Sequence, residues 1–205
     1  MIGMFYEDDV LAVNAVVSAL LPEKGILVEI GCFQGKSTVA WAEAFEANNK
    51  DFKIHAIDKF EGLNPRRPTQ DELNKAKAAG LNVEYMGSDE RMEHMKQFKC
   101  TGEEQYSNFK KNTERFDNIT VQKKLFTPKF EWNVMVDCVF YDADHNYQAC
   151  KDALEYWQRR LVKGGIMCVH DNTPNWPGTQ KAIKEVYPNA EVEVVSKQGF
   201  TVIRP

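Results

Sequence analysis

Four short apolar runs in this chain each stop on a glycine or an aspartate: GILVEIG at 25–31, FKIHAID at 52–58, VDCVFYD at 136–142 and GIMCVHD at 165–171. Each is long enough for one strand, and near-continuous hydrophobicity marks strands covered on both faces. Segments of helical period separate them. Residues 8–21 carry Val10, Leu11, Val13, Ala15, Val17, Leu20 and Leu21 before Pro22 and Gly25 stop the helix. Residues 37–47 read as a second helix. Residues 148–161 place Cys150, Leu154, Trp157 and Leu161 at spacings of four, three and four, which makes one apolar face. Lys163-Gly164-Gly165 is read as the glycine cap of that helix. A short strand is expected at 118–125 and a helix near 180–186. The chain closes on VEVVS and FTVIRP with Lys197-Gln198-Gly199 between them, which suits a hairpin with one antiparallel edge strand. Strands alternating with helices predict an α/β fold with a mostly parallel sheet covered on both faces. Ligands in such sheets bind beyond the C-terminal strand ends. Gly31, Asp58, Asp142 and Asp171 all fall there.

A polar stretch from 59 to about 117 does not fit this repeat. It contains RRP at 66–68 and helices expected near 71–79 and 89–98, and it is read as an insertion or lid within one domain, 1–205. The net charge of -4, without a basic cluster, gives no nucleic-acid footprint. No apolar stretch is long enough for a bilayer, so no membrane partner is expected. MIGMFYEDDV lacks a basic start followed by an apolar core, so no secretory signal is read. Cys32, Cys100, Cys138, Cys150 and Cys168 are scattered without a CxxC pair, and suit buried thiols in a cytoplasmic protein.

VEIGCFQGKST admits three readings. A P-loop needs four residues between its glycines, whereas Gly31 and Gly35 are separated by three, so Lys36-Ser37 is a decoy. A dinucleotide fingerprint needs glycines where Phe33 and Lys36 stand. The pattern Glu29-x-Gly31-x-x-x-Gly35-x-Ser37 resembles motif I of class I S-adenosylmethionine-dependent methyltransferases in its O-methyltransferase form. A tight strand-to-helix turn without a ligand explains the glycines equally well. Asp58, ending the next strand, can accept both ribose hydroxyls and so favours a nucleoside ligand without choosing its kind.

DADHNY at 142–147 matches the first ligand positions of a calcium loop, but Tyr147 replaces the required glycine and Ala153 the required glutamate. A polar loop with Asn146 as helix cap accounts for part of it. It does not account for Asp142 at the end of an apolar strand. If the fourth and fifth strands are neighbours, Asp142, Asp171 and Asn172 converge. Two carboxylates and an amide oxygen make a hard oxygen site suited to Mg²⁺.

FYDADHNY followed by GGIMCVHDNTPNW resembles the cation-dependent O-methyltransferases of the catechol and caffeoyl-CoA group. It is similar also to the macrocin O-methyltransferase-like and cephalosporin hydroxylase-like families. The resemblance implies a Rossmann-like, doubly wound, mostly parallel sheet with a C-terminal antiparallel hairpin strand. It implies S-adenosylmethionine as cofactor, held by Glu29, Gly31, Gly35, Ser37, Asp58 and Asp142. It also implies Mg²⁺ or Mn²⁺ on Asp142, Asp171 and Asn172, with a small-molecule hydroxyl as acceptor. Where that group places a catalytic lysine this chain has His145, which becomes the candidate general base. His55 and His170 are read as structural. Trp176, Arg66 and Arg67 are candidate substrate contacts, with surface packing or solvated charge as equal alternatives. KKLFTP at 123–128 leaves adenine recognition open. Competing readings are a metal-independent methyltransferase of the same fold, a phosphotransferase using Lys36, and a nucleoside-binding protein without turnover. Acceptor identity and oligomeric state are not written in these residues.

Overall fold

A computed structural model describes residues 3–205; Met1 and Ile2, which open the N-terminal stretch read above, lie outside it. The first half of the chain forms α1 (Glu7–Leu20), β1 (Lys24–Ile30), α2 (Lys36–Ala47) and β2 (Asp51–Asp58). The polar stretch forms β3 (Gly62–Leu63), α3 (Gln70–Ala78), α4 (Val83–Gly87), α5 (Asp89–Lys96), β4 (Cys100–Thr101) and α6 (Gly102–Thr113). The remainder forms β5 (Ile119–Lys123), β6 (Val136–Tyr141), α7 (Tyr147–Gln158), β7 (Leu161–Val169), α8 (Pro177–Val186), β8 (Glu191–Val194) and β9 (Thr201–Arg204).

Seven strands make one sheet in the order β5-β2-β1-β6-β7-β9-β8. β5, β2, β1, β6 and β7 pair in parallel, while β9 runs antiparallel to both of its neighbours. This is the doubly wound sheet with a C-terminal antiparallel hairpin that the alternation of elements predicts. One detail differs. The antiparallel strand is β9, lodged inside the sheet, and the edge is β8. Burial explains the choice: Val202 and Ile203 of β9 are buried, whereas all four residues of β8 are exposed.

Alternation along the central strands divides the core. Cys138 and Phe140 of β6, with Ile166 and Cys168 of β7, pack with α1 and α2 around Trp41, Phe45 and Phe52. Val139, Tyr141, Met167 and Val169 face the other way, against α7 and α8 around Trp157 and Leu154. Four of the five cysteines are buried and all are free. Among the described residues, no helix is long and apolar enough to cross a membrane.

Two expected boundaries move. α7 ends at Gln158 with Arg159 as its cap, so Leu161 belongs to β7 and not to the helix. Gly164 and Gly165 therefore lie inside β7. They absorb a register shift, since Val136 pairs with Leu161 but Cys138 pairs with Ile166. Gly164 has φ +80, which suits glycine.

The polar stretch also divides differently. α6 was not expected as an element of its own, yet it is the helix that precedes β5 and packs on α2 near Gly35. Its buried stripe is Gln105, Phe109 and Thr113, which offers only one strongly apolar residue to a periodicity argument. Thr101 and Glu104 form a capping box that starts it. The two-residue strands β3 and β4 pair across the base of the 59–101 excursion.

Candidate active site

A cavity of about 900 Å³ opens beyond the C-terminal ends of β1, β2, β6 and β7. That is near the upper end of the roughly 300–1,000 Å³ typical of small-molecule sites. One half is built around the glycine loop. Gly31 has φ +88, and a Cβ there would lie 2.1 Å from the Asp142 carbonyl oxygen. The glycine is therefore demanded by the close approach of two strand ends, in addition to any approach to a ligand. Gly35, also at φ +88, is the left-handed cap that turns the chain into α2. Asp58 is oriented by its neighbours: Phe33 N–H donates to Oδ2 at 2.9 Å and Phe60 N–H donates to Oδ1 at 2.7 Å. The segment containing Lys124, Leu125, Phe126 and Thr127 forms part of the same wall, so the stretch left open for adenine recognition does face the cavity.

Gly31, Ser37, Asp58 and Asp142 line this cavity; Glu29 and Gly35 stand behind it. Glu29 is wholly buried and accepts hydrogen bonds from Ser37 Oγ and Thr38 Oγ1, both at 2.5 Å. The motif's acidic residue thus fixes the first turn of α2 and does not line the cavity. Burial raises its carboxyl to about 8, against the two hydroxyl donors, with Asp142 and Asp58 adding repulsion. A raised acid holds its proton more tightly in the fold than in the unfolded chain. Its contribution to stability is complete below the ordinary value of 4.5 and is lost as pH rises toward 8. At about 1.4 kcal/mol per unit this amounts to several kcal/mol. Glu29→Gln is expected to flatten the stability profile across that window in urea unfolding, and parallel profiles for the two proteins would refute the assignment.

The other half of the cavity is a titratable cluster. β6 and β7 are neighbours, as the sequence reading required, with Tyr141 opposite Val169 and His170 N–H donating to the Tyr141 carbonyl at 3.0 Å. Continuing that register sets Asp142 level with His170, both on the α1 side of the sheet. Asp142, His170 and Asp171 each offer a donor atom within 4.8 Å of the others. His170 Nδ1 lies 3.6 Å from Asp142 Oδ1 and 3.5 Å from Asp171 Oδ2. His145 Nε2 lies 2.8 Å from Asp171 Oδ2 and 3.9 Å from Asp142 Oδ1. Neither the His145 Nε2 nor either His170 nitrogen makes a well-directed hydrogen bond among the described residues. Three donor groups, Asp142, His170 and Asp171, converge on one point, and His145 pairs with Asp171 beside them.

Charge in the cluster is unevenly held. Burial pushes Asp142 up to about 6, with His170 opposing and Asp171 reinforcing. Burial also works to raise Asp171, but its contacts with His145 and His170 outweigh this and hold it below the usual carboxylate range. For His145 and His170 burial disfavours the cation, yet the surrounding carboxylates win and raise both above the ordinary imidazole value.

Asn172 does not join this cluster. Asp171 sits in the left-handed region at φ +58 and turns the chain. Asn172 N–H then donates to the Gly199 carbonyl and its amide donates to Thr201 Oγ1 at 3.0 Å. The β8–β9 hairpin thus holds Asn172 by its two nitrogens, outside the lining of this cavity, and His170, expected to be structural, stands at the cluster. His55 remains apart, edge-on to Trp132.

Aromatic residues wall the cluster. Trp176 stacks on His145 with ring centroids 4.4 Å apart, and Tyr85 meets Trp176 edge-on at 5.6 Å. Tyr6 hydrogen-bonds His94 at 2.9 Å across the opening. Tyr85, Arg91, His94 and Met95, from α4 and α5, line the cavity, so the 59–101 excursion contributes its wall. Arg66 and Arg67 do not reach the cavity; they pair on the surface with Glu72 and Asp89. Tyr6, Tyr85, Arg91 and His94 were not singled out from sequence, because nothing local marks a residue contributed by a distant loop.

The protein-family model described as a methyltransferase domain matches residues 28–172, well over half of the chain. No curated protein sequence matches it. Among solved structures, the O-methyltransferase NovP superposes with a TM-score of 0.68 at 17% identity, covering 96% of this chain and 79% of NovP. CalS11, a TDP-rhamnose 3′-O-methyltransferase of calicheamicin biosynthesis, gives 0.56 at 17% identity, covering 96% of this chain and 78% of CalS11. An rRNA methylase from Streptococcus thermophilus gives 0.51 at 11% identity, covering 98% and 96%. The extent of the family match, on a sheet that ends in this loop and cavity, means that the chain belongs to the methyltransferase domain family, as a class I S-adenosylmethionine-dependent methyltransferase.

Proposed function

We propose that this methyltransferase acts on a hydroxyl oxygen of a small molecule, with a divalent cation held by Asp142, His170 and Asp171 and with His145 as general base. The observation that carries the reading is the convergence of Asp142, His170 and Asp171 on one point, with His145 2.8 Å from Asp171 beside them. Two carboxylates and an imidazole nitrogen at one point are a donor set that fits a divalent cation. The bound cation supplies Lewis acidity that lowers the pKa of an acceptor hydroxyl. S-adenosylmethionine supplies the electrophilic methyl group on its sulfonium. The remaining work belongs to the chain. Asp58 receives the ribose, and the glycine loop shapes the cofactor half. His145, held in plane by Trp176, faces the cluster and takes the acceptor proton. Tyr6 and Tyr85 line the acceptor end. A net charge of -4 without a basic cluster favours a small acceptor over a nucleic acid, which needs a basic face.

One observation favours a metal-independent rival. His170 is buried among Asp9, Asp142 and Asp171, and its imidazolium offsets part of their negative charge without a metal. Methyl transfer from labelled S-adenosylmethionine to a panel of catechols and vicinal diols, run with Mn²⁺, with Mg²⁺ and with chelator, separates the two readings. On the cofactor side, Asp58→Ala is expected to weaken S-adenosylhomocysteine binding by about 1.5–3 kcal/mol, roughly 10- to 150-fold, in calorimetry. An unchanged affinity would remove Asp58 from the site.

A further inference from the structure

We propose that Asp9 is the carboxylate that orients His170 as a nitrogen ligand, so that the centre selects a first-row transition dication over Mg²⁺. The proposal rests on the cation reading above and goes beyond it in naming a positioning residue and a metal class. Asp9 lies in the first turn of α1, far from the cluster in sequence, and is completely buried. Its Oδ2 accepts from Tyr6 N–H at 3.0 Å and its Oδ1 from Ser196 Oγ at 2.6 Å. Those two bonds tie the start of α1 to the β8–β9 hairpin. Oδ2 also lies 3.3 Å from His170 Nε2. Helix capping and hairpin docking do not require that third contact.

The two nitrogens of His170 face different partners. Nε2 addresses Asp9 on the protein side. Nδ1 addresses Asp142 and Asp171 on the cavity side, at distances too long for good hydrogen bonds. A carboxylate behind one imidazole nitrogen keeps the proton there and leaves the lone pair on the other. Phe5, Phe140 and Phe200 pack around the ring, at centroid distances of 5.7, 6.3 and 6.5 Å, and restrict its plane. The result is a donor face of one nitrogen and two oxygens. Mg²⁺ demands oxygen ligands and dehydrates reluctantly, whereas Mn²⁺ and the later dications accept imidazole with carboxylate. The metal preference is therefore written by position 170 and supported from position 9.

Mn²⁺ is the probe. Pulsed electron paramagnetic resonance of Mn²⁺ bound to the wild-type protein is expected to show ¹⁴N modulation from a coordinated imidazole. The modulation is expected to persist in His145→Ala and to vanish in His170→Asp, which puts an oxygen donor in place of the nitrogen. Competition binding should show His170→Asp shifted at least tenfold from Mn²⁺ toward Mg²⁺. Asp9→Asn should weaken Mn²⁺ binding by about 10- to 100-fold while S-adenosylhomocysteine binding holds. If Asp9→Asn fails to fold, ¹⁵N-histidine spectra of the wild-type protein loaded with Zn²⁺ decide: a proton on Nε2 supports the proposal and a proton on Nδ1 overturns it. Mn²⁺ binding without ¹⁴N modulation, modulation unchanged in His170→Asp, or a folded Asp9→Asn of undiminished affinity each overturns it alone. A wild-type protein that binds no divalent cation takes the cation reading down with it.

Discussion

Chelation is expected to abolish methyl transfer, Mn²⁺ is expected to restore it, and Asp171→Ala is expected to remove both the activity and its metal response. The reason lies in how the cluster balances charge. Asp171 is the cavity-side carboxylate nearest both imidazoles, 2.8 Å from His145 Nε2 and 3.5 Å from His170 Nδ1. Truncation deletes one proposed cation ligand and also the carboxylate 2.8 Å from the proposed base, His145. Lewis-acid activation is worth several kcal/mol, and each 1.4 kcal/mol is tenfold in rate, so turnover should fall by a factor of about 100–1,000 or more. Cofactor binding should survive, because Gly31, Ser37 and Asp58 lie in the other half of the cavity. S-adenosylhomocysteine calorimetry on Asp171→Ala checks that the protein has folded. Full activity in chelator, on an identified acceptor, would instead favour the imidazolium of His170 as the internal counter-charge.

The sheet was legible because its signals are local. Four apolar runs ending in Gly31, Asp58, Asp142 and Asp171 are strands with their functional ends already marked, and the neighbouring of β6 and β7 follows from the alternation of elements. Local signals misled where two elements share one apolar pattern. Leu161 continues the spacing of α7 but pairs with Val136 across the sheet. They were silent for α6, whose buried face is mostly polar. The same limit governs the site. Asp142 and Asp171 could be paired by strand order alone. Asn172 could not be excluded that way, because its fate depends on a left-handed Asp171 and on a hairpin some thirty residues downstream. Counting register would have found His170, since the residue level with Asp142 is the one after Val169. Asp9 had no sequence signal beyond an acidic helix start, an ordinary feature of first turns.

Replacing His145 by alanine is expected to lower turnover by about a hundredfold or more, the size of a lost general base. The position is specified from both sides. Asn146 caps α7, its side chain accepting from Ala149 N–H at 2.9 Å, and this fixes the loop in which His145 sits. Trp176 then stacks on the imidazole and leaves Nε2 aimed between Asp171 and Asp142. A histidine kept only for packing would gain nothing from facing two carboxylates across a cavity wall. Loss of the ring should therefore act on the chemical step and spare cofactor affinity, so kcat should fall while S-adenosylhomocysteine binding stays near that of the wild type. Trp176→Ala, which leaves the imidazole in place but unstacked, should give a smaller loss of kcat. His145→Lys supplies a different base at the position where the cation-dependent group resembling this chain places its lysine, and should recover part of the rate with a more alkaline optimum. Undiminished turnover in His145→Ala would assign the residue to packing and leave proton removal to Asp142, whose carboxyl burial pushes up to about 6.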